Sequence, residues 1–258
     1  MMIQDIEGFD ATYKEIKPKK EDYLLVYKGN YILLKDNLVP RIADYECNRI
    51  YYGFSIGEDR FFICLDEIDG KYEHIEIFRN YPDRKMAFSM VTGLHLYHWY
   101  KKHIYCPVCG KKLIHTLGER RLECTCGNLE FPTISPAIIV GIKHKDKILL
   151  TKYSKGYAPY ALVAGYSEVG ESLEDTIKRE VYEETNLRVK DIEYVTSQPW
   201  GLSSSLLMGF YATLDGEDNI VFNDGELKEA KWANKEEIDL EDDMTSLTRF
   251  LILKFKNS

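Results

Sequence analysis

Over the first hundred residues the apolar positions come in short runs: YLLVYKGNYILLK (23–35), IYYGFSI (50–56), RFFICLDEI (60–68) and EHIEIF (73–78), separated by Gly, Asn and Asp. Runs of this length between turn residues predict β-strands. RKMAFSMVTGLHLYHWYKKH (84–103) follows, and its spaced apolar and aromatic positions predict a helix. The pattern resets after Ile134. PAIIVGI (136–142) and KILLTKY (147–153) read as a hairpin around the polar turn KHKDK, and YALVAGY (160–166) follows. Leu173, Ile177 and Val181 then recur every four residues, as on one face of a helix. Further strands are expected at IEYVTSQPW (192–200), LLMGFYATL (206–214) and EAKWANKEEI (229–238), and a second helix at MTSLTRFLILKFK (244–256). Strands with a few packed helices predict a mixed sheet in an α+β or α/β sandwich, preceded by a small mixed α/β domain. The expected boundaries are 1–103, 104–132 and 133–258.

The middle piece is defined by cysteine. Four of the six cysteines lie in CPVCG (Cys106, Cys109) and CTCG (Cys124, Cys126), with 14 residues between the pairs. Two tight turns can then present four thiolates to one tetrahedral Zn(II). Gly110 and Gly127 suit such knuckles, because the turn favours a residue that tolerates positive φ. A site filled by four sulfurs has no open position, so the zinc is expected to be structural. The second pair is Cys-x-Cys, one residue tighter than the first. Cys47 and Cys64 stand apart and are expected to be ordinary buried thiols. His95 and His98, three apart beside Trp99, are expected to pack on an amphipathic helix rather than to bind metal.

A chain of 258 residues, 45% of them hydrophobic, can bury a substantial core. Its formal net charge of -8 argues against a coat for nucleic acid, and an anionic substrate would need cations to bridge it to the carboxylates. The start MMIQDIEGFD has neither a basic nor an apolar run, and no apolar run is long enough to span a bilayer, so a cytoplasmic protein with no membrane contact is expected.

The acids concentrate in GYSEVGESLEDTIKREVYEETNL (165–187), seven in 23 positions. Ser172 and Asp175 make a capping-box-like helix start. On that helix Glu180, Glu183 and Glu184 fall at i, i+3 and i+4, where like charges repel. Divalent cations would relieve the repulsion. The segment resembles the Nudix box, G-x5-E-x7-R-E-U-x-E-E-x-G-U with U apolar, through Gly165, Glu171, Arg179, Glu180, Val181, Glu183, Glu184 and Leu187. Asn186 replaces the last glycine, and Asn tolerates the left-handed conformation that ends helices. The resemblance implies that Glu180 and Glu184 bind Mg(II) or Mn(II), that Glu183 binds metal or activates water, and that Glu171 and Arg179 hold the box in shape.

Beyond the box, SQPWGLSSS (197–205), together with the preceding cysteine ribbon, resembles the NADH pyrophosphatases from about Tyr105 to the C-terminus. That family's loop reads SQPWPFPxS. Here Gly201, Leu202 and Ser203 replace Pro-Phe-Pro, and a glycine with serines predicts a looser loop. The resemblance implies cleavage of NADH or NAD to nicotinamide mononucleotide, reduced or not, and AMP, removal of NAD caps from RNA, and a homodimer. It points to Glu119, Phe131, Tyr166, Gln198, Trp200 and Ser205 as substrate contacts. In GELKEAKW it points to Glu226 as a further metal ligand, ahead of Glu229. Two other readings compete: hydrolysis of another nucleoside diphosphate such as ADP-ribose or a dinucleoside polyphosphate, and a sensor that binds a dinucleotide without cleaving it.

Overall fold

The computed structural model describes residues 2–154, 159–222, 225–240 and 245–258. Met244, where the second helix was expected to begin, lies outside the described residues. The chain forms two compact units, one of residues 3–134 with 200–204, the other of 135–199 with 205–258 and Met2.

The first unit carries six strands, β1 (Phe9–Asp10), β2 (Tyr23–Lys28), β3 (Tyr31–Leu34), β4 (Ile50–Ile56), β5 (Asp59–Cys64) and β6 (Lys71–His74), in the order β1-β4-β5-β2-β3-β6. Helix α1 (Arg84–Lys102) packs on this sheet, with Met90 and Leu94 fully buried. Gly93 gives it close approach, since a Cβ there would sit 3.4 Å from Ile63 and nearer still to Leu25 and the Tyr27 hydroxyl. Tyr27 donates its hydroxyl to the Met90 carbonyl at 2.6 Å. His95 and His98 pack, as expected: their rings bond the backbone carbonyls of Thr133 and Gly29.

The expected strand at 73–78 ends early, at His74, and Ile75–Asn80 forms a 3-10 helix instead. Ile75 and Phe78 are three apart and both buried, so one turn of period three buries both where a strand would send them to opposite faces. The expectation for Cys47 and Cys64 also fails. The turn before β4 and the end of β5 bring their Cα atoms 6.3 Å apart, and the two sulfurs are joined in a disulfide. Asp66 fixes that turn by accepting the backbone N–H groups of Asn48 and Arg49 at 2.6 and 3.0 Å.

The cysteine ribbon adds β7 (Ile114–His115), β8 (Leu122–Glu123) and β9 (Leu129–Glu130) as a small antiparallel sheet within the first unit. Residues 200–204 also pack there. Trp200 meets the Phe78 ring edge-to-face at 5.9 Å, under the Arg79 guanidinium. Gly201 is buried against α1, where a Cβ would collide with the Val91 carbonyl. The loop expected to be loose therefore depends on this glycine for close contact.

In the second unit, β10 (Ser135–His144), β11 (Lys147–Tyr153), β12 (Val163–Tyr166), β13 (Val189–Trp200), β14 (Ser205–Leu214) and β15 (Leu227–Asn234) form one mixed sheet. Its order is β13-β14-β10-β11-β15, with β12 on β10 and the central β10 and β14 parallel. The predicted hairpin pairs Lys143 with Ile148 across a turn in which Lys145 has φ 55°. Alternation along β10 decides which helix covers which face. Ile138, Val140 and Ile142 meet Ile177 and Val181 of α2 (Leu173–Thr185), while Ile139 meets Leu247 and Leu251 of α3 (Leu247–Lys256). Ile177 and Val181 are fully buried, each worth about 1.5–3 kcal/mol relative to exposure. The result is the expected α/β/α sandwich. Among the described residues, no helix is long and apolar enough to cross a membrane.

Gly201→Ala is expected to lower stability by about 1–3 kcal/mol through overpacking against α1, measured as a fall in the urea midpoint. An unchanged midpoint would mean that the loop does not depend on this contact.

Candidate active site

The acidic segment folds as a loop, a helix and a left-handed stop. Ser172 caps α2 by accepting the Asp175 N–H at 3.2 Å and donates to the Asp175 carboxylate at 2.6 Å. At the other end Asn186 takes φ 59°, as the substitution for glycine requires, and donates its N–H to the Tyr182 carbonyl.

One cation organises the carboxylates between these ends. Arg179 donates to Glu171 through Nε at 2.6 Å and Nη2 at 2.9 Å, to Glu180 at 2.7 Å, to Glu183 at 3.0 Å and to the Tyr166 carbonyl at 2.9 Å. Glu171 also accepts the Thr176 hydroxyl at 2.9 Å and the Glu168 N–H at 3.0 Å. Arg179 foremost, with these donors, holds the Glu171 carboxyl down at about 2. The same carboxylates, Glu171 first, push the Arg179 guanidinium above its ordinary range.

The three box glutamates on α2 differ in depth. Glu184 is 1% exposed, the Glu180 side chain 15% and the Glu183 side chain 51%. Burial raises the Glu180 pKa, Arg179 opposes the rise, and the neighbouring charges of Glu183 and Glu226 add to it. Gly165 on β12 is needed here, because its bare Cα faces the Glu180 carboxylate and a Cβ would overlap it. Box glycine and box glutamate are thus one packing pair.

The two candidate downstream acids part at the start of β15, Glu226 preceding the strand and Glu229 lying within it. The hydroxyl pKa of half-buried Tyr153 is raised, first by desolvation and then by the charges of Glu184, Glu226 and Glu180. Glu229 is occupied elsewhere: it accepts the Tyr160 hydroxyl and pairs with Lys152 at 3.6 Å. Tyr153 was not singled out in the sequence. Its only signal was a position at the end of KILLTKY, which gives no hint that it would face carboxylates 27 or more residues away.

Among the expected substrate contacts in this unit, Tyr166 is exposed and its hydroxyl lies 3.2 Å from that of buried Ser205. Gln198 is fully buried; its amide donates to the Thr245 carbonyl at 3.2 Å and accepts the Leu247 N–H at 2.7 Å, so it fastens the start of α3 to β13. Glu119, Phe131 and Trp200 belong to the other unit. Glu119 is exposed and paired with Arg121 at 2.9 Å, and Phe131 is exposed just after β9.

In the ribbon, the Sγ atoms of Cys106, Cys109, Cys124 and Cys126 all lie within 4.8 Å of one another, with 3.7 Å between Cys106 and Cys126 and 3.3 Å between Cys109 and Cys124. A tetrahedron of sulfurs at about 2.3 Å from zinc has edges of about 3.8 Å, so this donor set fits the ion. Gly110 and Gly127 have φ of 71° and 90°, and their N–H groups return to the carbonyls of Cys106 and Cys124. The shortened Cys-x-Cys knuckle therefore still closes.

The comparisons with known proteins converge on one family. A NUDIX domain matches residues 133–252. The chain is 35% identical over 240 residues to the NAD-capped RNA hydrolase NudC of Mannheimia succiniciproducens, covering 86% of this chain and 88% of that protein. It is 39% identical over 150 residues to the NAD-capped RNA hydrolase NudC of Escherichia coli, covering 57% of this chain and 58% of that protein. A crystal structure of a NUDIX hydrolase from Nitrosomonas europaea superposes with a TM-score of 0.52 at 23% identity, over 59% of this chain and 90% of that one, a likeness of fold. With its box assembled around Arg179, the chain belongs to the Nudix hydrolases, metal-dependent pyrophosphohydrolases, and within them to the relatives of NudC.

Proposed function

We propose that this enzyme hydrolyses the pyrophosphate bond of NADH or NAD, giving AMP and nicotinamide mononucleotide, reduced or oxidised, and removes NAD caps from RNA. The carboxylate set carries the reading: the charges of Glu180, Glu184 and Glu226 all act on Tyr153, and Glu183 shares the Arg179 guanidinium with Glu180. The substrate follows the NudC relative that spans nearly the whole chain. Neither ADP-ribose nor a sensing role has an observation of its own in favour.

Oxygen donors of this kind suit Mg(II) or Mn(II), held by Glu180, Glu184 and Glu226 with Glu183 as a further ligand. Such ions, when bound, neutralise the diphosphate and lower the pKa of water. Glu183, more exposed than Glu180 and Glu184, takes the proton of the attacking water, while Arg179 keeps it in reach at 3.0 Å. Glu171 and Arg179 are positioning residues. Tyr166 and Ser205 offer a ring and a hydroxyl to the substrate, with Gln198 as the brace that holds β13 to α3. Glu119, Phe131 and Trp200 complete the proposed contacts. The cysteines hold a structural zinc, the three pieces 1–103, 104–132 and 133–258 act as N-terminal, ribbon and catalytic parts, and the protein works as a cytoplasmic homodimer.

Glu183→Gln is expected to lower kcat on NADH with Mn(II) by about 10²–10⁴-fold, read as AMP release by chromatography. Unchanged turnover would falsify the assignment of the box. Cys109→Ser is expected to lose the bound zinc that metal analysis finds in the parent protein, and a parent free of zinc would remove the ribbon's role. For pH, the sign follows from Glu171, whose folded value of about 2 lies below the ordinary carboxylate value of 4.5. Its contribution to stability is complete above about 4.5 and is lost as the pH falls toward 2. The stability gap between parent and Glu171→Gln should therefore narrow from pH 6 to pH 3 in denaturant titrations, and a gap that widened on acidification would contradict the ion pair.

A further inference from the structure

The first unit holds a cavity of about 530 Å³. That is the size of a small-molecule site, and its lining is mainly apolar with a few polar groups, as such sites are. One wall is a stack. Phe61 lies parallel to the Tyr23 ring at 4.9 Å, and the Arg41 guanidinium lies 3.4 Å from the Tyr23 centroid. Two groups so close cannot share one face, so Tyr23 is sandwiched and Arg41 is the outermost layer. The guanidinium is held by two hydrogen bonds, donating at 2.6 Å to the Tyr23 hydroxyl and at 2.6 Å to the Glu21 carbonyl. Tyr23 and Arg41 both line the cavity.

The remaining wall is apolar. Leu38, 64% exposed, and Ile77 present aliphatic surface, joined by Tyr81, whose hydroxyl is spent on the Asn37 carbonyl at 3.0 Å. Asn80 adds an exposed carboxamide, both donor and acceptor, at the rim. A fixed guanidinium and aliphatic groups lining one cavity suit a flat ring, which stacks on arginine and buries its faces. A carboxamide at the edge suits a ring that itself carries donors and acceptors. Asp83 at the mouth, which caps α1 by accepting the Met86 N–H at 3.2 Å, disfavours a ligand whose affinity comes from negative charge.

We propose that this cavity, whose lining includes none of the box carboxylates, is a second ligand site that binds a purine-type nucleobase by stacking on Arg41. The base could come from a free nucleoside or nucleotide, or from an RNA chain, and the test separates these sources. Adenosine, AMP and a short uncapped oligoribonucleotide are titrated calorimetrically into the full-length protein with no Mg(II) or Mn(II) added. The same titrations are run on Leu38→Trp, which fills the cavity from an exposed position, and on Arg41→Ala, which removes the stacking plane. Thermal melts and NADH turnover of Leu38→Trp establish that it is folded and active.

Adenosine is expected to bind the parent and to weaken at least tenfold in both variants, with NADH turnover of Leu38→Trp unchanged. Binding of AMP as well as adenosine would identify free nucleosides and nucleotides as the source, and the same loss seen for the oligoribonucleotide alone would identify RNA. Binding equal in parent and variants would place the base elsewhere and overturn the proposal, as would no binding of any probe. The choice of adenine probes rests on the proposed substrate, but the outcomes are independent. Loss of NADH cleavage in Glu183→Gln tests the active site, whereas the cavity is tested by binding alone.

Discussion

The catalytic half of this molecule depends on one guanidinium holding several carboxylates. Glu171, Glu180 and Glu183 all bond Arg179 directly, and its remaining donor reaches back to the Tyr166 carbonyl. Without it the helix would carry like charges at i, i+3 and i+4, which destabilise helices in isolation. With it the loop before α2, the helix and strand β12 are tied together through one planar group whose fork geometry matches carboxylates. The arrangement also divides labour. Glu171 takes two of the strongest bonds and has a depressed pKa, so its negative charge serves to orient Arg179, while Glu180 and Glu183 each spend only part of their oxygen capacity on the arginine.

Depth does the rest of the sorting. Glu184, deeply buried, and Glu180, half-buried against Gly165, are costly placements for charge even with the Arg179 guanidinium 2.7 Å from Glu180. Folding alone gives no reason to put two acids there, and the elevated Glu180 pKa is the visible sign of the cost. In the proposed function a divalent ion with oxygen ligands would convert that cost into affinity, so the acids that are costly to bury are the ones that would serve the metal-dependent reaction.

Much of this was legible in the chain. Box spacing gave the helix, its cap and its buried stripe, and Ser172, Ile177, Val181 and Asn186 all sit as the pattern required. Local rules also placed the cysteine knuckles, because φ at Gly110 and Gly127 is a property of a few consecutive residues. What was not legible is what depends on distant pairing. Cys47 and Cys64 looked solitary because only the turn before β4 and the end of β5 bring them together. The 73–78 segment has the alternation of a strand, but the need to bury Ile75 and Phe78 on one side overrode it. Tyr153, on which the charges of Glu184, Glu226 and Glu180 act, lies where a bulge shifts β11 against β15, a feature of strand pairing rather than of local sequence.

The altered loop after Trp200 shows how a local reading can invert. Glycine and serines in place of two prolines suggest freedom, since glycine leaves the unfolded chain more conformations to lose. In the folded protein the relevant quantity is space instead. Gly201 lies where any side chain would meet the Val91 carbonyl, and Trp200 before it is held by Phe78 and Arg79. The segment is therefore ordered by packing on α1, and the missing prolines need not be missing rigidity. The same logic links Gly165 to Glu180: in both places the absence of a side chain is what lets a functional group or a backbone come close. In the proposed function, the bearing of the 201–203 positions on the substrate is then a question of what surrounds them once they are fixed, rather than of how far they move.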